Sequence, residues 1–175
     1  MLRLGNIHLR APEPGDLDLL FNIENDPSLW HLSNTLTPYS RFDLEQFIML
    51  SDKDIYVTKQ ARFIIDKIED EKPVAVGAVD LFDFDPVNFR AGVGIMLLDE
   101  FRLKGYASIA LDILIDYVFS HLGLHQLYCN IEESNEVSLT LFKKKGFREC
   151  GKKLEWNKKG SKWINEYMLQ LINHE

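Results

Sequence analysis

"RLKGYA", residues 102–107, lies between a strand-like apolar run, "AGVGIML" (91–97), and a longer one, "SIALDILIDYVFSHL" (108–122); the reading of this junction decides the fold. In the second run Ile109, Ile113 and Tyr117 recur every four residues, with Ala110, Leu114 and Val118 offset by one, so the run forms a helix with one wide apolar face. The junction therefore passes from strand to helix. A helix start leaves backbone N–H groups without partners and carries the positive end of the macrodipole. Gly105 lets a ligand approach that backbone closely, and Arg102 and Lys104 add charge, so the segment fits an anion such as a diphosphate. It is neither a G-x-x-x-x-G-K-[ST] loop nor a G-x-G-x-x-G fingerprint.

Outward from the junction, "IHLRAP" (7–12) alternates like a first strand, and "PGDLDLLFNIEND" (14–26) and "SRFDLEQFIML" (40–50) carry helical spacing, the latter opened by a Ser40/Asp43 pair like a capping box. "ARFIIDKIED" (61–70) and "KPVAVGAVDLF" (72–82) read as antiparallel strands joined by a charged turn, and "NFRAGVGIMLL" (88–98) extends the sheet. After the long helix come a strand, "QLYCNI" (126–131), a helix, "NEVSLTLFKKKGF" (135–147), and a hairpin turning at Asn157 to Gly160. The order is βααβββαβαββ. The fold class expected is α/β (α+β): a mixed, mostly antiparallel sheet of about six to seven strands with about four helices. No linker or repeat divides residues 1–175, so a single domain is expected.

The chain has 175 residues, 46% of them hydrophobic, and a formal net charge of -7, which suits a folded protein and argues against non-specific nucleic-acid or anionic-membrane partners. The N-terminal stretch is interrupted by Arg3, Gly5 and His8, and the longest apolar helix carries Asp112 and Asp116, so a cytoplasmic location is expected. Cys129 and Cys150 lack metal-ligand spacing and read as reduced thiols. His121 and His125 are spaced i, i+4, but Gly123 lies between them without a nearby carboxylate or thiol, so no metal is expected.

A second element accompanies the junction. Asn135 lies in a turn before a helix, and Ser138 and Phe142 share its helical face, followed by Lys143 to Lys145 and Gly146. Asn135 reads equally as an N-cap, Phe142 as core and the lysines as a helix end that complements the dipole. The two segments together, one strand apart, resemble the acetyl-CoA-binding region of the GNAT superfamily of N-acetyltransferases. "FRLKGYASIALDILIDYVF" is similar to its R/Q-x-x-G-x-G/A diphosphate motif, and "YCNIEESNEVSLTLFKKKGF" is similar to its following strand and helix. The nearest subgroups are the spermidine or diamine and the ribosomal-protein N-terminal acetyltransferases, whose early helical region "ENDPSLWHLSNTLTPYS" (24–40) also resembles.

The resemblance implies a splay between strands 4 and 5 of the expected order, "GVGIML" and "LYCNI", that holds acetyl-CoA as co-substrate. Met96, Leu97 and Leu98 would pair with the pantetheine, and Arg102, Leu103, Lys104, Gly105, Tyr106 and Ala107 would hold the diphosphate. Asn135, Ser138 and Phe142 would contact the cofactor, with Lys144 or a neighbouring lysine at the 3'-phosphate. The implied activity is acetyl transfer by direct attack to a primary amine, either a polyamine-like small molecule or a protein N-terminus, in a chain that also forms homo-oligomers. Many relatives carry a glutamate where this chain has Gly92, and spermidine acetyltransferases carry a tyrosine where it has Phe142. That departure keeps a second reading open, a catalytically weak acyl-CoA sensor. Glu132, Glu133 and Asp80 are the remaining base candidates; Asp80, Asp83 and Asp85 line either an acceptor cleft or an exposed turn.

Overall fold

Antiparallel hairpins and one parallel crossover build the sheet. The computed structural model describes residues 2–27, 29–30, 35–50 and 54–174. Residues 28 and 31–34, within the stretch that carries part of the resemblance, lie outside the described residues. Strand β1 (Leu2–Leu4) turns at Gly5, φ +58°, into β2 (Ile7–Arg10). β3 (Ala61–Glu69), β4 (Lys72–Asp85) and β5 (Arg90–Leu97) form a meander. β6 (Gln126–Glu132) precedes the hairpin of β7 (Arg148–Lys159) and β8 (Lys162–Ile172). The eight described strands lie in the order β1-β2-β3-β4-β5-β6-β8-β7, and among them only β5 and β6 pair in parallel.

The sheet thus has one strand more than the six to seven expected. The extra one is β1, whose three residues are too few to show a period; the Gly5-Asn6 turn is its sequence signal. Five α-helices are described rather than about four: α1 (Leu17–Glu24), α2 (Arg41–Leu50), α3 (Ile55–Thr58), α4 (Tyr106–Asp116) and α5 (Glu136–Lys144). The additional α3 is a single turn capped by Asp54, whose carboxylate accepts the Tyr56 N–H at 2.9 Å. The expected capping box of α2 is present, with Asp43 N donating to Ser40 Oγ at 3.0 Å and Ser40 N to Asp43 Oδ2 at 3.3 Å. The long apolar helix runs as α4 and then widens into a π turn at Tyr117–His121.

Alternation along the strands sends side chains to two cores. On one face Ile65, Val79, Leu81, Ala91, Val93 and Leu127 pack with Leu111 and Leu114 of α4 and Phe142 of α5. On the other, Ile64 and Ala78 meet Leu20 of α1 and Leu44 and Ile48 of α2. Each fully buried aliphatic side chain contributes about 1.5–3 kcal/mol. Among the described residues no helix is long and apolar enough to cross a membrane.

Arginines fasten both ends of α1 to the sheet. At its start Arg10 donates from Nη1 and Nη2 to Asp16 at 2.6 and 2.8 Å and from Nε to Asp66 at 2.7 Å. At its end Arg62 donates from Nε and Nη2 to Asp80 at 2.6 and 2.8 Å and from Nη1 to Glu24. Asp16 and Asp66 are 6% and 3% exposed, so removing their cation strands buried charge. We expect Arg10→Met to destabilise the fold by about 3–5 kcal/mol. Urea unfolding should show a lower midpoint with an unchanged slope.

Candidate active site

The sheet opens where its halves meet. β5 and β6 pair at only three positions, Arg90 with Gln126, Ala91 with Leu127 and Gly92 with Tyr128. Past Gly92, β5 continues on β4 as far as Leu97, whereas β6 continues on β8 as far as Glu132. The β5 edge from Val93 onward therefore faces the gap with peptide groups that no described strand pairs, and an extended ligand can satisfy them as an added strand would. Behind that edge β4 lies very close: a Cβ on Gly77 would stand 2.1 Å from the Met96 carbonyl oxygen, so only glycine fits there.

The end of β5 leads into a 3₁₀ turn at Asp99–Phe101 and then into the junction. Leu103 and Gly105 both adopt left-handed backbone, φ +59° and +85°, and space is open within 4 Å of where a Gly105 Cβ would be. The first turn of α4 closes when Ile109 N–H donates to the Gly105 carbonyl at 3.2 Å, which leaves the amides of Tyr106, Ala107 and Ser108 aimed out of the helix start. Arg102 donates from Nε to the Leu97 carbonyl at 3.0 Å and pairs with Asp99 at 2.7 Å, so it ties the junction to β5. Leu103 is 87% exposed, and Lys104 lies over the Phe101 ring at 5.7 Å. A cavity of ≈ 410 Å³ joins Met96, Leu97, Leu98 and Arg102 with Asn22 and Ile23 of α1. An unpaired strand edge that runs into an open, cationic helix start fits an extended ligand ending in a diphosphate.

The opposite wall is β6 and α5. Asn135 is the N-cap of α5, its Oδ1 accepting the Ser138 N–H at 3.1 Å. Phe142 is 3% exposed and packs edge to face with Phe147, ring centroids 5.0 Å apart. Of its two readings the core one describes this packing, since apolar burial between helix and sheet draws the ring inward. Lys143 and Lys145 bind Glu149 and Asp112, each at 2.6 Å, and Lys144 has no ion-pair partner among the described residues.

The base candidates are engaged elsewhere. Asp80 is the bidentate partner of Arg62. Glu133 accepts hydrogen bonds from Lys152, from Asn165 Nδ2 at 2.7 Å and from the Tyr167 hydroxyl at 3.0 Å, which hold its carboxyl below the usual range. A carboxylate so stabilised is a poor proton acceptor. Glu132 is buried opposite Glu166 in the β6–β8 register, and the Ser134 hydroxyl donates to it at 3.3 Å. The Cys129 thiol is pushed up to about 12 by burial and, secondly, by Cys150, so it stays protonated.

Three residues here escaped the sequence reading: Arg62, Phe82 and Tyr128. Phe82 and Tyr128 flank Gly92 in register across β4, β5 and β6. A Cβ on Gly92 would stand 2.2–2.6 Å from ring atoms of Phe82, so that ring fills the place of the missing side chain. Phe82 meets Tyr128 edge to face at 5.8 Å, and the Tyr128 hydroxyl donates to Asp83 at 3.1 Å. Burial first, and Asp83 second, push the Tyr128 hydroxyl up to about 12. Beside it a cavity of ≈ 500 Å³ is lined by Asp83, Asp85, Arg90, Asn130 and Gln170. The side-chain signal was only a phenylalanine and a tyrosine in alternating strands, and strand register alone brings them together.

The acetyltransferase (GNAT) domain family matches residues 6–148. The chain belongs to that family. The acetyltransferase is 30% identical over 151 residues to a spermidine N(1)-acetyltransferase of Vibrio cholerae, covering 84% of this chain and 82% of the relative. Its fold matches the crystal structure of spermidine N-acetyltransferase from Vibrio cholerae in complex with CoA and spermine with a TM-score of 0.84, at 24% identity and 95% coverage of both chains. It also matches a dodecameric structure of that organism's spermidine N-acetyltransferase, with a TM-score of 0.78, 25% identity and 95% and 94% coverage. The acetyltransferase accordingly uses acetyl-CoA to acetylate an amine, and its splay and helix start fit that co-substrate.

Tyr128 gives this geometry a direct test. Its hydroxyl should remain protonated well past the ordinary tyrosine pKa of about 10. A carbon-13 NMR titration of the tyrosine Cζ signals, with Tyr128 assigned through its loss in Tyr128→Phe, should show that resonance unmoved at pH 10.5, with half-buried Tyr117 also titrating late, and Asp83→Asn should bring the Tyr128 midpoint down part of the way, because burial is the larger cause.

Proposed function

We propose that the acetyl acceptor is a small, polyamine-like primary amine that binds on the α1 and α2 face of the sheet beside Gly92 and attacks the thioester there directly, with no covalent acetyl-enzyme intermediate. The observation that carries this reading is the cavity of ≈ 500 Å³ over the paired end of β5 and β6, in which Arg90 is paired with Asp85, Lys153 with Glu166, and the Asp83 carboxylate accepts from the neutral Tyr128 hydroxyl with no ion-pair partner among the described residues. That leaves a carboxylate to attract an ammonium group. The similarity to a spermidine N(1)-acetyltransferase supports the same acceptor class.

In this reading the β5 edge at Met96 to Leu98 pairs with the pantetheine, the amides of Tyr106 and Ala107 with Arg102 and Lys104 hold the diphosphate, and Lys144 reaches the 3'-phosphate. Asn135 and Ser138 border the same gap. Acetyl-CoA supplies an activated acyl group on a leaving sulfur. The neutral amine forms the C–N bond with its lone pair, the C–S bond breaks toward sulfur, and the proton shed by nitrogen balances the thiolate. A lysine-like ammonium has a pKa of about 10.4, so presenting it neutral at pH 7 costs roughly 4.6 kcal/mol. With Asp80 and Glu133 engaged, solvent takes the proton. Self-association and a cytoplasmic location belong to the same proposal, the first supported by the dodecameric relative.

The engaged carboxylates also favour a second reading, an acyl-CoA-binding module that turns over weakly. Thiol release measured with a panel of amines and N-terminal peptides separates the two. We expect turnover with diamines and polyamines, and kcat/KM rising about tenfold per pH unit between pH 6 and 9 as the neutral amine fraction grows. Binding of acetyl-CoA by calorimetry without thiol release from any amine would establish the second reading instead. Gly105→Glu should abolish that binding by placing a carboxylate in the diphosphate site.

A further inference from the structure

Gly92 is the last residue of β5 that pairs with β6, so it marks the apex of the splay. Its side-chain place on the α1 and α2 face is taken by Phe82, whose ring would stand 2.2–2.6 Å from a Cβ at 92 and lies 3.9 Å from one at Gly94. The ring thus lies as a plate over the β5 backbone from Gly92 toward Gly94, just where the gap begins. Tyr128 closes the other side edge-on at 5.8 Å and is held in that pose by its hydrogen bond to Asp83. The aim of Asp83 comes from the irregularity between Phe82 and Asp85, where Asp83 adopts φ +49° and its carboxylate reaches across β5 to β6.

We infer that Phe82 is a specificity-determining residue that selects amines with an unbranched amine-bearing carbon. The inference rests on the small-amine reading above. An amine that enters from this face reaches the apex along the Phe82 plate. A terminal –CH₂–NH₂ group presents two hydrogens and slides past the ring. A substituent on that carbon, as on every peptide N-terminus other than glycine, must displace the ring, which the fixed Tyr128 edge obstructs. Phe82 acts through contact with the acceptor chain, Gly92 by leaving room for Phe82, and the two form a coupled pair.

The test compares a linear α,ω-diamine with its analogue methylated on both amine-bearing carbons, two acceptors of near-equal basicity, in thiol-release assays with the full chain. Wild type should favour the linear diamine in kcat/KM by about tenfold or more, the discrimination that one methyl group typically commands. Phe82→Ala should bring that ratio near one, with the larger change in KM for the branched amine, and Phe82→Trp should keep it. Gly92→Ala should weaken selectivity in wild type and change nothing further in Phe82→Ala, because the ring it displaces is gone. If Phe82→Ala fails to fold, Phe82→Leu carries the same expectation with a smaller shift. Turnover with an unchanged ratio in either variant, or additive effects of the Gly92 and Phe82 changes, overturns the inference. Acetylation of peptides with no turnover of either diamine by wild type would instead overturn the small-amine reading itself.

Discussion

Three parallel residue pairs between β5 and β6 are the constraint on which the rest depends. β5 is committed to β4 along its length, and β6 to β8, so each has a longer antiparallel partner that it does not leave. The two halves of the sheet are joined over one turn's worth of strand and then part. A buried strand edge with unpaired peptide groups is costly, and here the gap turns that cost into a binding edge. Gly77 matters from behind: its missing Cβ lets β4 hold the far edge of β5 while the near edge stays open.

The same division of labour recurs on the two faces. The α4 and α5 face carries the larger apolar core and supplies the helix starts that flank the gap, at Gly105 and Asn135. The other face has a smaller core and is fastened by charge, through Arg10 and Arg62 at the two ends of α1. Buried ion pairs of this kind add geometric definition more than net stability. Their effect is to fix the end of α1 beside Met96 to Leu98, where one wall of the ligand cavity is formed.

Around the splay the titratable groups have mostly been spent on structure. Asp80 neutralises Arg62, Glu133 accepts three hydrogen bonds, and Tyr128 is held protonated by burial and Asp83. An N-acetyltransferase can work so because a thiolate is a competent leaving group and binding in the gap supplies proximity, worth up to about 7–11 kcal/mol in well-oriented reactions. At the apex stand the Asp83 carboxylate on the Tyr128 hydroxyl and the Phe82 ring over Gly92, the two features on which the proposed choice of amine rests.

The periodic and conformational signals were legible in the chain itself. The wide apolar face of 108–122, the Ser40/Asp43 box, the caps at Asn135 and Gly146, and the strand-to-helix junction at Gly105 all follow from local physics, and with them the order of the described elements apart from β1 and the single-turn α3. The three-residue strand β1 was too short for a period to appear. Phe142 illustrates the limit of a helical wheel: it shares a face with Asn135, yet whether that face meets a ligand or a core depends on what packs there, and Phe147 does. Partnership of charges was equally hidden, since Asp80 and Arg62 lie on adjacent strands whose register the sequence leaves open. The aromatic bridge over Gly92 needed register on both sides at once, Phe82 from β4 and Tyr128 from β6. Local sequence determined the elements and the open helix start at Gly105, because capping, turns and periodicity act within a few residues; only the tertiary structure decided the aromatic cluster over Gly92, because β4, β5 and β6 must pair in one register to bring Phe82 and Tyr128 together.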